Sequence, residues 1–298
     1  MMPGRSLRIA VPNKGRLREP TIALLREAGL SFEQSERVLS VRVRNAGIEL
    51  LFVRAEDVVD LVENGVAELG VTGLDLLEEL RRGNGTEHVA TLLPLGYGRC
   101  ALTVAVPVDS PVREPEDFGH RMVVATSHPN LTGRYFSKLG SRVLVKRLRG
   151  SVEVAPKLGF ASAVADLVST GSTMLVNGLR PVAIIMASEA VLIGTITAPD
   201  PNLNQHQPEI ERVVTAIESV LAGRKKRYLL LNAPREMTEM ITALIPGLEA
   251  PTVIPLAEDG MVSIHSVVGR DEVWNLLPRL KSAGGQDILV LPVGQLIP

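Results

Sequence analysis

Three times within residues 7–82 the chain steps from an apolar run through a short turn into a helical stretch, and that repetition limits its fold more than any other feature. Leu7 to Val11 runs into Pro12-Asn13-Lys14-Gly15-Arg16, then into helical residues from Glu19 to Ala28, with Gly29 as a stop. Ile48 to Val53 ends at Arg54 and leads to a helix over Ala55 to Asn64, with Glu56 and Asp57 in its first turn and Gly65 after its last. Leu69-Gly-Val-Thr-Gly73 passes into Leu74-Asp75 and a helix to about Arg82. Repeated β-to-α steps predict an α/β fold with a largely parallel sheet and helices on its faces. Aromatic residues make up only 3% of a chain that is 45% hydrophobic, so Val, Leu, Ile and Ala must fill the core, as sheet layers covered by helices allow. Function is then expected at the C-terminal ends of the strands.

The pattern changes near Gly96-Tyr97-Gly98-Arg99, where the apolar run Cys100 to Pro107 ends in a Pro-rich stretch to Pro115 and opens a second lobe. There Met122–Thr126 and Val143–Leu148 read as strands, Leu131–Leu139 as a helix, and Val152–Leu158 as a helix with Ser151 as its N-cap. Ala163–Val168 is a short buried strand, with a helix from Met174 to Gly178 behind its turn; Pro181–Met186 and Val191–Ile196 are strands returning to the first lobe. Two such lobes leave a ligand cleft between them. After the turn-rich segment Ala198 to Asn202 and a helix over Glu209 to Gly223, the order becomes strand Tyr228–Leu231, helix Arg235–Leu244, strands Thr252–Leu256 and Met261–Val268, helix Asp271–Ala283, strand Ile288–Leu291. This is the split βαββαβ arrangement, ferredoxin-like, and long enough for an independent domain that senses a small molecule or drives assembly. The expected boundaries are 1–99 with 191–218 for lobe one, 100–190 for lobe two and 219–298 for the third domain.

Chemistry concentrates at Asp166-Leu-Val-Ser-Thr-Gly-Ser-Thr173, an acid at the end of a strand followed by a hydroxyl-rich turn. Such a turn either caps the following helix or binds a ribose 5-phosphate. In the second case Gly171 lets the backbone approach, Ser169, Thr170, Ser172 and Thr173 donate to phosphate oxygens, and Asp166 accepts from sugar hydroxyls. Asn13-Lys14-Gly15-Arg16 is either a solvated basic turn or a grip on a polyphosphate, built from one point charge and one planar fork. Arg54 is a surface ion-pair partner or a ligand contact, and Thr72-Gly73-Leu74-Asp75 a helix cap or a contact to a base or ribose. Glu153 is open to two readings, first-turn dipole stabilisation or substrate contact.

Lys and Arg total 32 against 33 Asp and Glu, a formal charge of -1, which argues against a general grip on nucleic acid; the cluster Arg224 to Arg227 reads as a solvated face or linker. A single cysteine, Cys100, excludes an intrachain disulfide framework and reads as a small semi-buried apolar residue. Five scattered histidines lack ligand spacing. No run of about 18 apolar residues and no signal-peptide core occur, so a cytoplasmic protein with no membrane partner is expected.

Taken in order, Ala10-Val-Pro-Asn-Lys-Gly-Arg-Leu17, Asp57-Val58 through Gly65, Leu69-Gly-Val-Thr-Gly-Leu-Asp75, Gly96-Tyr-Gly-Arg-Cys100, Ala125-Thr126 with Pro129-Asn130, Gly150-Ser-Val-Glu-Val-Ala-Pro156, Asp166 to Thr173, Asn177-Gly-Leu179 and Ile288-Leu-Val-Leu-Pro292 resemble the ATP phosphoribosyltransferase family in its long form. The likeness covers nearly the whole chain. It implies a two-lobed, periplasmic-binding-protein-like catalytic core with a C-terminal regulatory domain. It also implies a reaction, attack by N1 of ATP on C1 of 5-phosphoribosyl 1-diphosphate (PRPP) with Mg²⁺ as cofactor, as the first step of histidine biosynthesis. Under the resemblance Asp166, Lys14 and Arg16 are catalytic. Asp166 with Ser169, Thr170, Gly171, Ser172 and Thr173 binds PRPP, while Arg54, Gly73, Asp75 and Lys14 place ATP. No residue is assigned as a metal ligand, because the resemblance implies Mg²⁺ held through pyrophosphate oxygens and water. Histidine is the implied feedback inhibitor, in a pocket around Asn232, Leu248, Thr252 and Ser266, acting on a dimer-to-hexamer equilibrium. Two departures stand out. Phe160-Ala161-Ser162 replaces the usual Leu-Ala-Asp, so a missing carboxylate motivates the alternative of a catalytically impaired regulatory paralogue, and His128 stands where Tyr is common. A two-lobed anion-binding protein is the second alternative.

Overall fold

The computed structural model describes residues 6–33, 38–81, 88–169, 172–195, 206–246 and 250–297, with the backbone alone at 172 and 173. The chain divides into two compact units, Met1–Ala23 with Leu30–Ile210, and Leu24–Gly29 with Glu211–Pro298.

The first unit holds two mixed sheets. One is built from β1 (Leu7–Pro12), β2 (Ser40–Arg42), β3 (Ile48–Val53), β4 (Leu69–Gly73), β5 (Val89–Pro94) and β11 (Ala190–Thr195), in the order β2-β3-β1-β4-β11-β5. The other contains β6 (Cys100–Pro107), β7 (Val123–Thr126), β8 (Leu144–Arg147), β9 (Ala163–Val168) and β10 (Leu179–Ser188), in the order β10-β6-β9-β7-β8. The helices are α1 (Arg18–Glu27), α2 (Val58–Glu63), α3 (Leu74–Leu80), α4 (Pro129–Lys138) and α5 (Ser172–Val176). Central strands are largely apolar because both faces are covered, as in β1, where Leu7, Ile9, Ala10 and Val11 are fully buried and Arg8 is the one charged residue, half-buried beside Glu49. On one face of the first sheet, Val58, Val59 and Val62 of α2 and Leu77 of α3 pack with Ala10, Val191 and Ile193.

The sheets are less parallel than the strand–helix repeat predicts. Only β3-β1-β4 and β8-β7-β9 are parallel sets; β2, β5, β6, β10 and β11 pair antiparallel. Parallel neighbours need a crossover, and the two strands that carry the chain back and forth between the sheets have none. Ser188 ends β10 and Ala190 begins β11 with only Glu189 between them. This return lies beside the outgoing segment, since the Ala190 N–H donates to the Tyr97 carbonyl at 2.9 Å and the Leu95 N–H to the Ala190 carbonyl at 2.9 Å. Strands β2 and β5, absent from the sequence reading, are an edge strand of three residues and one whose burial lacks alternation. The helix expected over 152–158 is one 3-10 turn, Val152–Val154, and Ser151 makes no side-chain cap because it takes the left-handed conformation, φ 47°.

The second unit includes the end of α6 (Gln207–Arg224), then β12 (Lys226–Pro234), α7 (Thr238–Leu244), β13 (Thr252–Pro255), β14 (Met261–Gly269), α8 (Val273–Ser282) and β15 (Gln286–Pro292). The antiparallel order β13-β14-β12-β15 is the ferredoxin-like one expected from βαββαβ. Leu229, Leu231, Ala233, Val262, Ile264 and Val268 form its core with Ile241 of α7 and Leu276 and Leu280 of α8. The basic run is no linker: Arg224 ends α6 and Lys226 opens β12. Among the described residues no helix is long and apolar enough to cross a membrane.

Candidate active site

Each parallel set ends in loops that carry the polar residues singled out in the sequence. In the first sheet, β3, β1 and β4 end at Arg54, at Asn13 to Arg16 and at Gly73 to Asp75. In the second, β8, β7 and β9 lead to Glu153, to His128 and to Asp166 with the loop after it. Helix N-termini and free backbone N–H groups gather at such edges, which is why ligands bind there.

Asp75 joins the two edges. Its carboxylate is 1% exposed. The Ser188 hydroxyl donates to Oδ1, and the Asp75 N–H donates to Ser188 Oγ at 3.0 Å. His128 Nε2 lies 3.0 Å from Oδ2, with that ring 3% exposed, and Arg16 stands 4.0 Å from Oδ1. Burial alone would push Asp75 up, but hydrogen bonds from His128 and Ser188, with the electrostatic attraction of His128 and Arg16, outweigh it and hold the carboxyl below its ordinary range. Gly73 serves this geometry. Its backbone, φ -82° and ψ 140°, is open to any residue, yet an added Cβ would collide with the Asp75 carboxylate folded over it.

The same edges are clamped a turn further along. Glu79 of α3, buried, accepts from the Asn130 and Leu131 N–H groups at 2.9 and 2.8 Å, placing a carboxylate on the N-terminus of α4. The Asn130 side-chain amide returns a bond to the Glu79 carbonyl at 2.9 Å.

Arg16 reaches from the first loop to Cys100 Sγ at 2.9 Å. Burial pushes the Cys100 thiol up despite Arg16, so it stays a protonated, inert neighbour. Lys14 is exposed. Asn13 Oδ1 is buried without a hydrogen-bond partner, an acceptor facing no protein donor.

Asp166 is half-buried at the end of β9 and accepts from the Leu167 N–H at 2.8 Å. Burial raises its pKa, Glu153 adds to the rise, and Leu167, His128 and Arg16 oppose it. Asp166, Glu153, His128 and Arg16 therefore share one electrostatic environment, which no sequence spacing shows. Ser169 is exposed beside them. Thr170 and Gly171 lie outside the described residues, and Ser172 and Thr173 open α5. An acid from the second sheet and a basic side chain from the first thus act on one another electrostatically where the two edges join.

Several expectations change. Asp75 has no free carboxylate edge for a nucleotide, because His128, Ser188 and Arg16 occupy it. Arg54 pairs with Glu56 at 3.5 Å, both about 60% exposed, as a surface ion pair does. Ser162 precedes β9 and donates its N–H to the Val123 carbonyl at 2.9 Å, whereas Asp166 lies four residues on, roughly 13 Å along an extended strand. The missing carboxylate is thus at the far end of the strand from the site. In the second unit Asn232 and Thr252 lie on the open sheet face: Asn232 pairs with Ser263 and Thr252 with His265, all off the helix-packed face. Ser266, paired with core Leu229, lies on the opposite face, so these three line no common pocket; Leu248 is outside the described residues. Ser188 and Glu79 were not found from sequence, since they meet their partners across 113 and about 51 residues.

Comparison with known proteins bears on the whole chain. Residues 54–219 match the family model described as HisG, ATP phosphoribosyltransferase, and residues 223–295 match the HisG C-terminal domain. The chain is 42% identical over 297 residues to an ATP phosphoribosyltransferase of Gemmatimonas aurantiaca, covering 98% of this chain and 100% of that one. It is 39% identical over 289 residues to one of Methanocaldococcus jannaschii, covering 97% and 99%. Among solved structures, a chain of the ATP phosphoribosyl transferase (HisG:HisZ) complex from Thermotoga maritima matches with TM-score 0.59 and 25% identity, over 71% of this chain and 98% of that one.

Proposed function

Because the chain belongs to the ATP phosphoribosyltransferase family, which performs the first step of histidine biosynthesis, we propose that the transfer takes place at the joined strand ends, with Asp166 facing the reacting sugar. The observation that carries this is the half-buried Asp166 carboxylate, next to the 169–173 loop and within electrostatic reach of Arg16.

The reaction forms a bond from N1 of ATP to C1 of PRPP and breaks the bond from C1 to the diphosphate oxygen. Positive charge develops on the ribose ring and negative charge on the leaving group. Asp166 accepts from the ribose hydroxyls and stabilises the ring charge, while residues 169–173 hold the 5-phosphate at the start of α5. Lys14 and Arg16 take the phosphates, with Arg16 aimed by Asp75 and by Cys100 Sγ. Asp75 acts as a positioning residue for Arg16 and His128, while Arg54, paired at the surface with Glu56, is left out of the ATP contacts. Alignment of two bound substrates supplies the rest.

The family is metal-dependent, and Mg²⁺ is the ion we assign. Among the described residues no group of three or more His, Cys, Asp or Glu forms a metal cage. The donors present fit a hard cation shared with substrate: Asp166 and Glu153, close enough to act on one another electrostatically, would offer carboxylate oxygens beside those of the diphosphate. When bound, Mg²⁺ neutralises the leaving diphosphate.

ATP and PRPP are the substrates, and histidine the feedback inhibitor, acting on the second unit at the open sheet face that carries Asn232 and Thr252. Residues 1–99 with 191–218 and 100–190 form the catalytic lobes, and 219–298 the regulatory domain. Ile254, Leu289 and Leu291, about half exposed on that open face, support a homo-oligomer, dimer or hexamer. The cytoplasm is the compartment this reading assigns. Purified protein given ATP, PRPP and Mg²⁺ yields phosphoribosyl-ATP; no product in histidine-free conditions refutes the reading.

A further inference from the structure

The second unit contains a pocket of about 670 Å³, within the usual range for a small-molecule site, in which Arg224, Arg227 and Arg270 converge. We propose that this pocket binds a phosphate-bearing small molecule through its diphosphate or phosphate group, at a site separate from the transferase chemistry.

The convergence is built by the backbone. Helix α6 passes into β12 through Lys225 alone, so Arg224 and Arg227 stand at one corner. The register Lys226 with Gly269, and the bond from the Arg270 N–H to the Lys225 carbonyl at 2.9 Å, bring Arg270 to the same corner. Arg227 Nη1 donates to the Lys226 carbonyl at 2.7 Å, which fixes the guanidinium while leaving its other donors unspent. The far wall is equally fixed. A Cβ on Gly223 would meet the Val293 carbonyl oxygen at 2.8 Å, so the bare glycine lets the C-terminal segment lie close on α6. The Leu296 N–H then bonds the Ser219 carbonyl at 2.8 Å, and the Gln295 amide bonds the Glu27 carbonyl at 2.9 Å.

Charge is left over. Three guanidinium groups line the pocket against one carboxylate, Glu27, an excess of two positive charges. Arg224 donates from Nε to Glu27 at 2.9 Å, whereas Arg227 and Arg270 have no carboxylate within 4 Å among the described residues. A cation in the last turn of α6 is favoured by the helix dipole alone, which accounts for Arg224 but for neither of the others. Guanidinium forks match phosphate oxygens in pairs, and the Arg270 fork together with the remaining Nε and Nη2 donors of Arg227 suits a multiply charged anion better than a single carboxylate. Pro292 and Val293 add an apolar wall, so a nucleoside diphosphate and inorganic pyrophosphate share the recognised group.

The test is calorimetric titration of the full-length protein with inorganic pyrophosphate in chelator, comparing wild type with the double variant Arg227→Gln, Arg270→Gln. The variant should lose one pyrophosphate per chain, or bind it at least about tenfold more weakly, while turnover at saturating substrate is unchanged. Arg270→Lys keeps the charge but not the fork and should also weaken binding by about tenfold. Glu27→Gln removes the competing carboxylate and should tighten it, an outcome that needs no loss of fold. Equal stoichiometry and affinity in wild type and double variant overturn the site, as does wild-type affinity in Arg270→Lys, which would indicate diffuse charge. Repeating the titration with adenosine diphosphate separates the two sources: tighter binding than pyrophosphate assigns a nucleotide, weaker binding the inorganic ion.

Discussion

Gly73 and Asp75 should be coupled, and a double-mutant cycle measures by how much. Asp75→Ala removes the acceptor shared by His128 and Ser188, both almost fully buried. Each stranded polar group costs about 1–3 kcal/mol, so two cost about 2–6 kcal/mol, a span that brackets the about 3–5 kcal/mol expected when one partner of a buried pair is deleted. Gly73→Ala introduces no backbone strain at φ -82° and ψ 140°; the atoms nearest its Cβ are those of the Asp75 carboxylate. To admit the methyl group the carboxylate must rotate away from the same partners, at about 2–3 kcal/mol. In the double variant the added Cβ occupies space the carboxylate has left, so the total should stay near that of Asp75→Ala alone. The coupling is then about 2–3 kcal/mol. Urea unfolding followed by far-ultraviolet circular dichroism is the assay, because the single tryptophan, Trp274, is 85% exposed and lies in the other unit. Since the folded pKa of Asp75 is lowered, its contribution is fully present above the unfolded value of about 3.9 and fades as pH falls through the lowered one. Additive costs, agreeing to within about 0.5 kcal/mol, or a neutral Gly73→Ala, would refute the collision argument.

Three further outcomes follow from the site. Asp166→Asn should lower kcat by about 10²- to 10³-fold while raising the unfolding midpoint at neutral pH. Burial raises the Asp166 pKa, so its stabilising, protonated form is fully present below the unfolded value and is lost as pH rises through the folded one; a neutral amide avoids that loss, and a lower midpoint in the variant contradicts it. Ser162→Asp should leave turnover within about twofold of wild type, since position 162 is roughly 13 Å from Asp166 along β9; a large gain would restore the impaired-paralogue reading. If histidine binds the open face of the C-terminal sheet, Thr252→Ala should weaken inhibition and Ser266→Ala should not, because Ser266 faces the helices; inhibition curves for the two variants decide it.

Local pattern determined much of this protein. The strand–turn–helix repeat, the βαββαβ order and the strand that carries Asp166 are legible because each rests on neighbouring residues: apolar periodicity buries a face, and glycine or a polar turn ends it. The ordered motifs also carried the resemblance to the family. Other features could be decided only by tertiary structure. Whether Asp75 meets a ligand or a histidine depends on His128 and Ser188, which fold onto it from the second sheet. Whether Ser162 matters depends on which end of β9 it occupies relative to the catalytic edge. A solvated basic run became a pocket because Arg270 arrives through a strand register and the C-terminal segment through the bare Cα of Gly223. The physical reason is common to all three. Desolvation and pairing act through space, so a side chain's charge, exposure and partner are set by residues far away in sequence, while the elements that carry it are set by those nearby.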